Sequence, residues 1–208
     1  CCQTQIRGLH SAESAASTPV SREMTTVDLQ AGDILIATVS LVDPNFERAV
    51  VLLCAHDDDE GSYGLVLNRP IEAPPELKED YPFVAGRLFH GGPVQRDAMQ
   101  MLHSFGEELT GAREVPPGVW IGGSFDILQA GLKSEVLTPE GCRFFLGYAG
   151  WGRGQLTREF SSDAWIRVPA TRELVMGGTT EQLWAGAVRQ GAAENPMYTN
   201  FPDHPNLN

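Results

Sequence analysis

Long apolar runs, cysteine and basic residues are all scarce in this chain of 208 residues. The longest uninterrupted apolar run is the seven residues from Ala49 to Ala55, whereas a helix that crosses a bilayer needs about 20. We therefore predict no transmembrane helix. Basic residues number 15 against 27 acidic ones, a formal net charge of −12. Such a charge repels phosphate backbones and anionic lipid, so binding to nucleic acid or to a membrane surface would require a local basic patch.

Cysteine usage favours a reducing compartment, and we expect the protein in the cytoplasm. Four cysteines are too few for a disulfide scaffold. Cys54 and Cys142 lie in apolar runs and are expected to pack as small buried hydrophobic residues. Cys1 lies in a polar tail, where lipidation stays open as an alternative. A trimmed or upstream-extended translation with a natural start at Met24 is the simpler expectation, and whether residues 1–23 belong to the natural protein is left open.

The composition divides the chain into three parts. Residues 1–27 are rich in Ser, Ala and Thr with few large apolar side chains, so we predict a disordered or extended tail. Residues 28–195 hold nearly all of the apolar periodicity and form one predicted domain. Residues 196–208 contain three prolines and are predicted to form an extended arm.

Strand patterns outnumber helix patterns in the predicted domain, which favours an α+β fold with an extensive, mostly antiparallel sheet. Residues 49–56 and 63–70 flank a polar turn and predict a hairpin. We also expect pairs between 87–94 and 98–105 and between 165–170 and 173–177. The remaining predicted strands are 33–41, 118–123 and 142–150.

Few and short helices are expected beside this sheet. Ser124 is placed to cap a helix over 125–132, and residues 154–160 form another turn or two. Thr179 to Gln182 resemble a capping box that opens a last helix, and Gly191 stands where a left-handed helix end would fall.

No complete catalytic or metal-binding motif is present. Ser124 and Asp126 with His90 or His103 suggest a hydrolase, but the strained turn of a nucleophile elbow requires a second glycine where Asp126 stands. Pro93 likewise occupies a place where an oxyanion hole needs an N–H donor. These four residues remain weak catalytic candidates. The run 56–61 lacks EF-hand spacing and is better explained as a solvated turn, and His56, His90 and His103 are too widely spaced for a local zinc motif. We predict no metal and no cofactor.

The run 147–155 is the most distinctive stretch of the sequence. It follows a predicted strand and opens a predicted helix, a position in which backbone N–H groups can hold anions, but it has no nucleotide-binding spacing. Its glycines favour a tight crossing within the sheet. The functional alternative is a pocket for a ligand or partner, with a second segment 91–94 beside it. The candidate binding residues are Gly91, Gly92, Pro93, Gly147, Tyr148, Gly150, Trp151, Gly152, Arg153, Gly154 and Gln155.

Several segments together resemble the bacterial YqgE/AlgH family. They are 34–56, 64–70 (GLVLNRP), 91–94 (GGPV), 102–103, 124–128 (SFDIL) and 147–159 (GYAGWGRGQLTRE), in the family's order, and the resemblance covers residues 28–190. It implies a single α+β domain with a bifurcated sheet folded into a pseudo-barrel, and a cytoplasmic location. The family is often labelled as regulators of transcription, its biochemical activity is not established, and no catalytic residue is carried over. The family usually has proline near Val39 and an acidic residue at Thr157, which puts an acid-dependent role at position 157 in doubt.

Three functional hypotheses follow from these residues. The first is a non-enzymatic binding or regulatory protein that recognises a protein partner or small ligand at the Gly-rich surface, and it predicts that Trp151→Ala abolishes capture while the fold stays intact. The second is an enzyme that assembles His90, His103, Ser124 and Asp126 at converging strand ends. The third, direct DNA binding, would need a contiguous basic face formed by Arg87, Arg96, Arg153 and Arg158. Oligomeric state is not legible from the sequence.

Overall fold

A computed structural model describes residues 28–177 and 180–194. The predicted tail 1–27 and arm 196–208 lie outside the described residues, as does Thr179 of the predicted capping box. Among the described helices, none is long and apolar enough to span a bilayer.

In the described part of the chain, nine strands form one sheet with the order β6-β7-β5-β8-β3-β2-β1-β9, and β4 adds to β8. All pairings are antiparallel except that of β4 with β8. The strands are β1 (Asp33–Ala37), β2 (Val50–Asp57), β3 (Gly61–Val66), β4 (Leu88–His90), β5 (Val94–His103), β6 (Ala112–Glu114), β7 (Trp120–Gly122), β8 (Cys142–Trp151) and β9 (Trp165–Pro169).

The sheet forks at β8. Residues 144–146 of this strand lie between parallel β4 and antiparallel β5, whereas residues 149–151 pair with β3. One branch carries β3, β2, β1 and β9, and the other carries β5, β7 and β6. The branches curl into a half-barrel. The expected α+β class, with a mostly antiparallel bifurcated sheet and few short helices, is confirmed.

Five α-helices occur in the described residues: α1 (Pro75–Asp80), α2 (Phe125–Lys133), α3 (Gln155–Ser161), α4 (Arg172–Met176) and α5 (Thr180–Glu194). Ser124 caps α2 as predicted, since its hydroxyl accepts a hydrogen bond from the N–H of Ile127 (3.3 Å). Gly191 does not end a helix. It lies inside α5, where a Cβ would come within 2.9 Å of Ile166, so the glycine lets the helix approach the sheet.

Two predicted strand pairs are wrong. The first and second halves of segment 87–105 do not pair with each other, because β4 and β5 both pair with β8. Residues 173–177 are not a strand that pairs with β9. They belong largely to α4, and the hydroxyl of Thr171 caps this helix by accepting from the N–H of Leu174 (3.2 Å).

The central strands bury both faces. On β1, Ile34 and Ile36 belong to a cluster that includes residues of α5, while Leu35 and Ala37 face a second cluster with Trp151 and Trp165. A third cluster lies beneath α2 and contains Phe144. The long apolar run in β2 is therefore explained by burial on both faces.

Candidate functional site

The Gly-rich segment combines the end of β8 with the start of α3. Its amides do not form an open anion site: the N–H of Gly152 donates to the Gln155 side chain (3.1 Å), and that of Gly154 donates to the carbonyl of Asp58 (3.2 Å). Arg153 and Gly152 are exposed, and the Arg153 guanidinium pairs with Asp59. The loop is thus tied to the β2–β3 turn, and it offers no array of free donors to a phosphate.

Glycines at 91, 92 and 147 permit a backbone crossing. The chain leaves β4 on one side of β8 and enters β5 on the other, so it passes over β8 between them. A Cβ at Gly91 would lie 2.3 Å from the carbonyl oxygen of Gly147, and one at Gly92 would lie 2.1 Å from the carbonyl carbon of Tyr148. Pro93 is half-buried at this crossing. The tight crossing therefore accounts for Gly91, Gly92 and Gly147.

Trp151 is a core residue. Its side chain is only 4% exposed, its ring lies 6.0 Å from Phe46 and 5.9 Å from Trp165, and its Nε1 donates to Glu159 (3.0 Å). Removal of such a side chain costs about 3–5 kcal/mol. The expectation that Trp151→Ala leaves the fold intact is therefore abandoned, and this substitution cannot test binding.

An open cleft of about 480 Å³ lies beside the Gly-rich segment. The β2–β3 hairpin forms one wall, and Val94 and the end of β8 form the other. Tyr148, Gly150 and Trp151 of the predicted binding set line it, whereas Gly91, Gly92, Pro93, Gly147, Gly152, Arg153, Gly154 and Gln155 do not. The lining residues are Ala55, His56, Asp57, Glu60, Gly61, Ser62, Tyr63, Val94, Tyr148, Gly150 and Trp151.

Two tyrosines form an aromatic surface within this cleft. The rings of Tyr63 and Tyr148 meet edge to face with centroids 5.1 Å apart. The hydroxyl of Tyr63 donates to Oε1 of Gln100 (3.2 Å). Burial holds the pKa of Tyr63 well above its usual range, so this hydroxyl stays protonated and keeps its donor role.

The rim of the cleft is acidic. Oδ1 of Asp57 accepts from the N–H groups of Asp59 (2.8 Å) and Glu60 (2.9 Å), and these bonds lower the pKa of the Asp57 carboxyl. Glu60 adds a second carboxylate. None of the described residues that line the cleft is Lys or Arg. The lining therefore presents carboxylates and aromatic rings without a neutralising cation of its own.

A histidine and a serine also meet in the cleft. His56 and Ser62 stand opposite each other in the β2–β3 hairpin, and Nδ1 of His56 lies 2.7 Å from Oγ of Ser62. Nε2 of the same ring lies 3.7 Å from Oδ1 of Asp58. The sequence analysis weighed metal binding at 56–61, preferred a solvated turn, and did not predict this arrangement. The hairpin register was the available signal, because a turn over 57–61 places residue 56 opposite residue 62.

The four catalytic candidates from sequence have separate structural roles. His103 is fully buried on β5, where Nδ1 accepts from the N–H of Phe105 (3.3 Å), and burial lowers its pKa. His90 is half-buried on β4, and burial, together with Arg96 and Arg69, lowers its pKa. Ser124 caps α2, and Asp126 lies exposed in its first turn. No hydrogen bond joins these four side chains in the described structure, and no described group of three His, Cys, Asp or Glu residues could hold a metal.

The forked, curled sheet and the cleft beside its shared strand define an α+β half-barrel protein with an open surface cleft. The chain belongs to the AlgH-like family DUF179, whose model matches residues 34–194. The resemblance inferred from the sequence motifs is thereby confirmed.

Relatives in several bacteria share most of the chain. A UPF0301 protein of Chlorobium limicola is 39% identical over 181 residues, which cover 86% of this chain and 96% of the relative. A UPF0301 protein of Streptomyces coelicolor is 39% identical over 193 residues, covering 89% and 98%.

Two solved structures are similar. The solution structure of AlgH from Pseudomonas aeruginosa matches with a TM-score of 0.60 and 29% identity, over 91% of this chain and 99% of that one. A crystal structure of a Corynebacterium diphtheriae protein matches with a TM-score of 0.65 over 84% of this chain and 94% of that one. At 22% identity, this second likeness concerns the fold alone.

Proposed function

We propose that this protein is a binding protein with a regulatory role, and that it takes a small ligand or a group of a protein partner into the cleft between the β2–β3 hairpin and the end of β8. The observation that carries the proposal is the cleft itself. Its volume of about 480 Å³ has room for a small ligand or for one side chain of a partner. One of its walls contains the end of β8, which belongs to the Gly-rich segment 147–155.

The chemistry of the lining favours a positively charged organic group. The carboxylates of Asp57 and Glu60 attract a cation, and the faces of Tyr63 and Tyr148 bind ammonium and guanidinium groups through cation–π interactions. Nearby arginines are otherwise engaged: Arg153 pairs with Asp59, and Arg113 donates to the carbonyl of Cys54 (2.9 Å). We therefore expect amines and guanidines to bind better than neutral molecules of the same shape.

An amide NMR titration with agmatine, spermidine and choline tests this function. Wild type should show shifts concentrated in residues 55–63 and 148–151. Glu60→Gln and Tyr148→Leu should weaken them, because one removes a carboxylate and the other removes an aromatic face while keeping an apolar side chain. Glu107→Gln is the matched control, because Glu107 is an exposed carboxylate in the 3-10 helix Gly106–Glu108 and does not line the cleft. Equal shifts over the whole acidic surface, or none in the cleft, would contradict the proposal.

Capture from a bacterial lysate distinguishes a protein partner from a free ligand. A protein retained by wild type and by Glu107→Gln, but lost with Glu60→Gln and Tyr148→Leu, would place a partner's basic side chain in the cleft. Capture that the cleft variants leave unchanged would show that the partner binds elsewhere and would contradict the partner form of the proposal.

A regulatory role through direct DNA contact receives no support from the arginines considered for it. Arg87 pairs with Glu140 (2.6 Å) and Arg153 with Asp59, so two of the four are neutralised. We propose the cytoplasm as the location, a proposal supported by the family and by the free, buried thiols of Cys54 and Cys142.

A further inference from the structure

His56 and Ser62 line the cleft, and Asp58 lies beside the His56 ring. The proposed binding of a cation uses none of these three side chains. A serine becomes a nucleophile when a base lies within about 2.6–3.2 Å of its hydroxyl and a third group orients that base. The Ser62 to His56 distance of 2.7 Å meets this condition. Asp58 lies on the far side of the imidazole ring, at 3.7 Å from Nε2.

The charge of Asp58 favours the tautomer that this chemistry needs. A carboxylate only accepts, so it stabilises a proton on Nε2 and leaves Nδ1 free to take the proton of the serine hydroxyl. Thr157 fixes the carboxylate, since its hydroxyl donates to Oδ1 of Asp58 (2.7 Å). An acidic side chain at 157 would repel Asp58, so this orientation depends on the threonine of this chain.

The two reacting side chains are sheltered but reach the cleft. Ser62 is 9% exposed and the His56 side chain 10% exposed, and both line the cleft wall. The pairing of β2 with β3 and of β3 with β8 fixes the backbone at His56 and Ser62. The two side chains are therefore held in one geometry. The apolar surface of Val94 and Tyr148 lies in the same cleft and can receive the body of a substrate.

We propose that Ser62 is a nucleophile that accepts acyl groups from carboxylic esters, with His56 as its general base. Oγ of Ser62 bonds to the carbonyl carbon while its proton passes to Nδ1 of His56. The ester C–O bond then breaks, and the leaving alkoxide takes that proton from His56. Water then gives a proton to Nδ1 of His56 and bonds to the carbonyl carbon of the acyl-serine. The bond between that carbon and Oγ of Ser62 breaks, Oγ takes the proton back from His56, and the carboxylic acid leaves. Both halves balance without a metal or a redox partner.

p-Nitrophenyl acetate tests this activity on the full chain. We expect a burst of p-nitrophenolate and an acetyl group on the peptide that contains Ser62, located by mass spectrometry. Ser62→Ala should abolish the burst. His56→Gln should slow it by about a hundredfold, the usual contribution of a general base. Ser134→Ala is the matched control, because Ser134 is an exposed serine whose hydroxyl bonds only to the nearby Gly131 carbonyl (3.2 Å).

The location of the adduct in wild type decides the matter even if a variant unfolds. Acetyl groups confined to lysine or cysteine, or a burst that persists in folded Ser62→Ala, would overturn the proposal. A merely structural Ser62–His56 bond would change the melting temperature in both variants without any burst in wild type. Failure here leaves the cation titration unaffected, since that titration depends on Glu60 and Tyr148 and not on Ser62.

Discussion

Glu159 organises the aromatic cluster behind the Gly-rich segment. Its Oε2 accepts from Nε1 of Trp151 (3.0 Å) and Nε1 of Trp165 (2.7 Å), and its Oε1 accepts from Gln155 (2.9 Å). One side chain thereby satisfies the polar atoms of two buried rings and orients the first turn of α3. The carboxylate links the core to the loop that flanks the cleft.

Glu159→Ala should lower the free energy of unfolding by about 2–4 kcal/mol, because it leaves two indole N–H groups without a partner in largely buried surroundings. Urea denaturation followed by tryptophan fluorescence measures the change. Glu107→Ala, at an exposed position of the 3-10 helix Gly106–Glu108, should alter it by no more than about 0.5 kcal/mol. A loss as small as that of the control would show that water replaces the carboxylate.

His103 should make the protein less stable in mild acid. Burial lowers its pKa, with a smaller opposing effect from the backbone of Gly122, so the unfolded chain binds a proton more readily than the folded one. The free energy of unfolding should therefore fall as pH drops below about 6.5 and be unaffected by this group above that value. His103→Gln should flatten the fall between about pH 7 and about pH 5 in denaturation curves.

His90 provides an internal comparison for that experiment. Its pKa is also lowered, but its ring is more exposed, so His90→Gln should flatten the acid limb less than His103→Gln. An acid limb that His103→Gln leaves unchanged would mean that the protonated ring is accommodated in the fold.

At the scale of the elements, the crossing of β8 should tolerate no side chain at position 91. Gly91→Ala places a methyl group 2.3 Å from the carbonyl oxygen of Gly147. Neither atom can move away by a side-chain rotation, because the methyl carbon is fixed by the backbone of residue 91 and the oxygen is itself a backbone atom. We expect a loss of about 3 kcal/mol or more, or failure to fold. Gly152→Ala is the matched control, since its Cβ would meet no atom within 4 Å. Thermal unfolding of the two variants should differ clearly, and equal melting temperatures would refute the crossing.

The sequence predicted individual strands and helices better than it predicted which strands pair with each other. Strands β1, β2 and β8 and the Ser124 cap could be predicted, because each depends only on residues that are close in sequence. The Gly-Gly-Pro break after β4 suggested a hairpin, whereas β8, some 50 residues further along the chain, separates the two strands. Residues 173–177 were predicted to form a strand because they are largely apolar. The prediction did not take into account that Thr171 caps the start of a helix.

The candidate site could be predicted only where its residues lie in a segment with a distinctive local sequence. Tyr148 and Gly150 lie in the segment that the sequence marked as distinctive, and both line the cleft. Tyr63 and Val94 come from strands whose approach depends on the long-range pairing of β3 and β5 with β8. Trp151 was placed in the candidate binding set because an aromatic residue among glycines can line a pocket or belong to the core. The sequence alone does not distinguish these two positions.

For the whole molecule, charge is the property that separates the regulatory hypotheses. The formal net charge is −12, and Arg87 and Arg153 are paired with carboxylates. We expect no change in the fluorescence anisotropy of labelled duplex DNA, even at about 50 mM salt, where phosphate contacts are strongest. Saturable binding that weakens steeply as salt is raised would contradict this and would point to a basic face formed by the remaining arginines.

Strand β8 also dictates the order in which the molecule can assemble. During synthesis, β3, β4 and β5 leave the ribosome long before residues 142–151 exist, so these strands wait with unpaired edges. The fork and the crossing at Gly91 can close only when β8 arrives between them. Such distant pairing slows folding towards the millisecond-to-second range and exposes the waiting edges to self-association. We therefore expect the pairing of β8 to be a late and slow step of folding, and the cleft beside it to be among the last surfaces to form.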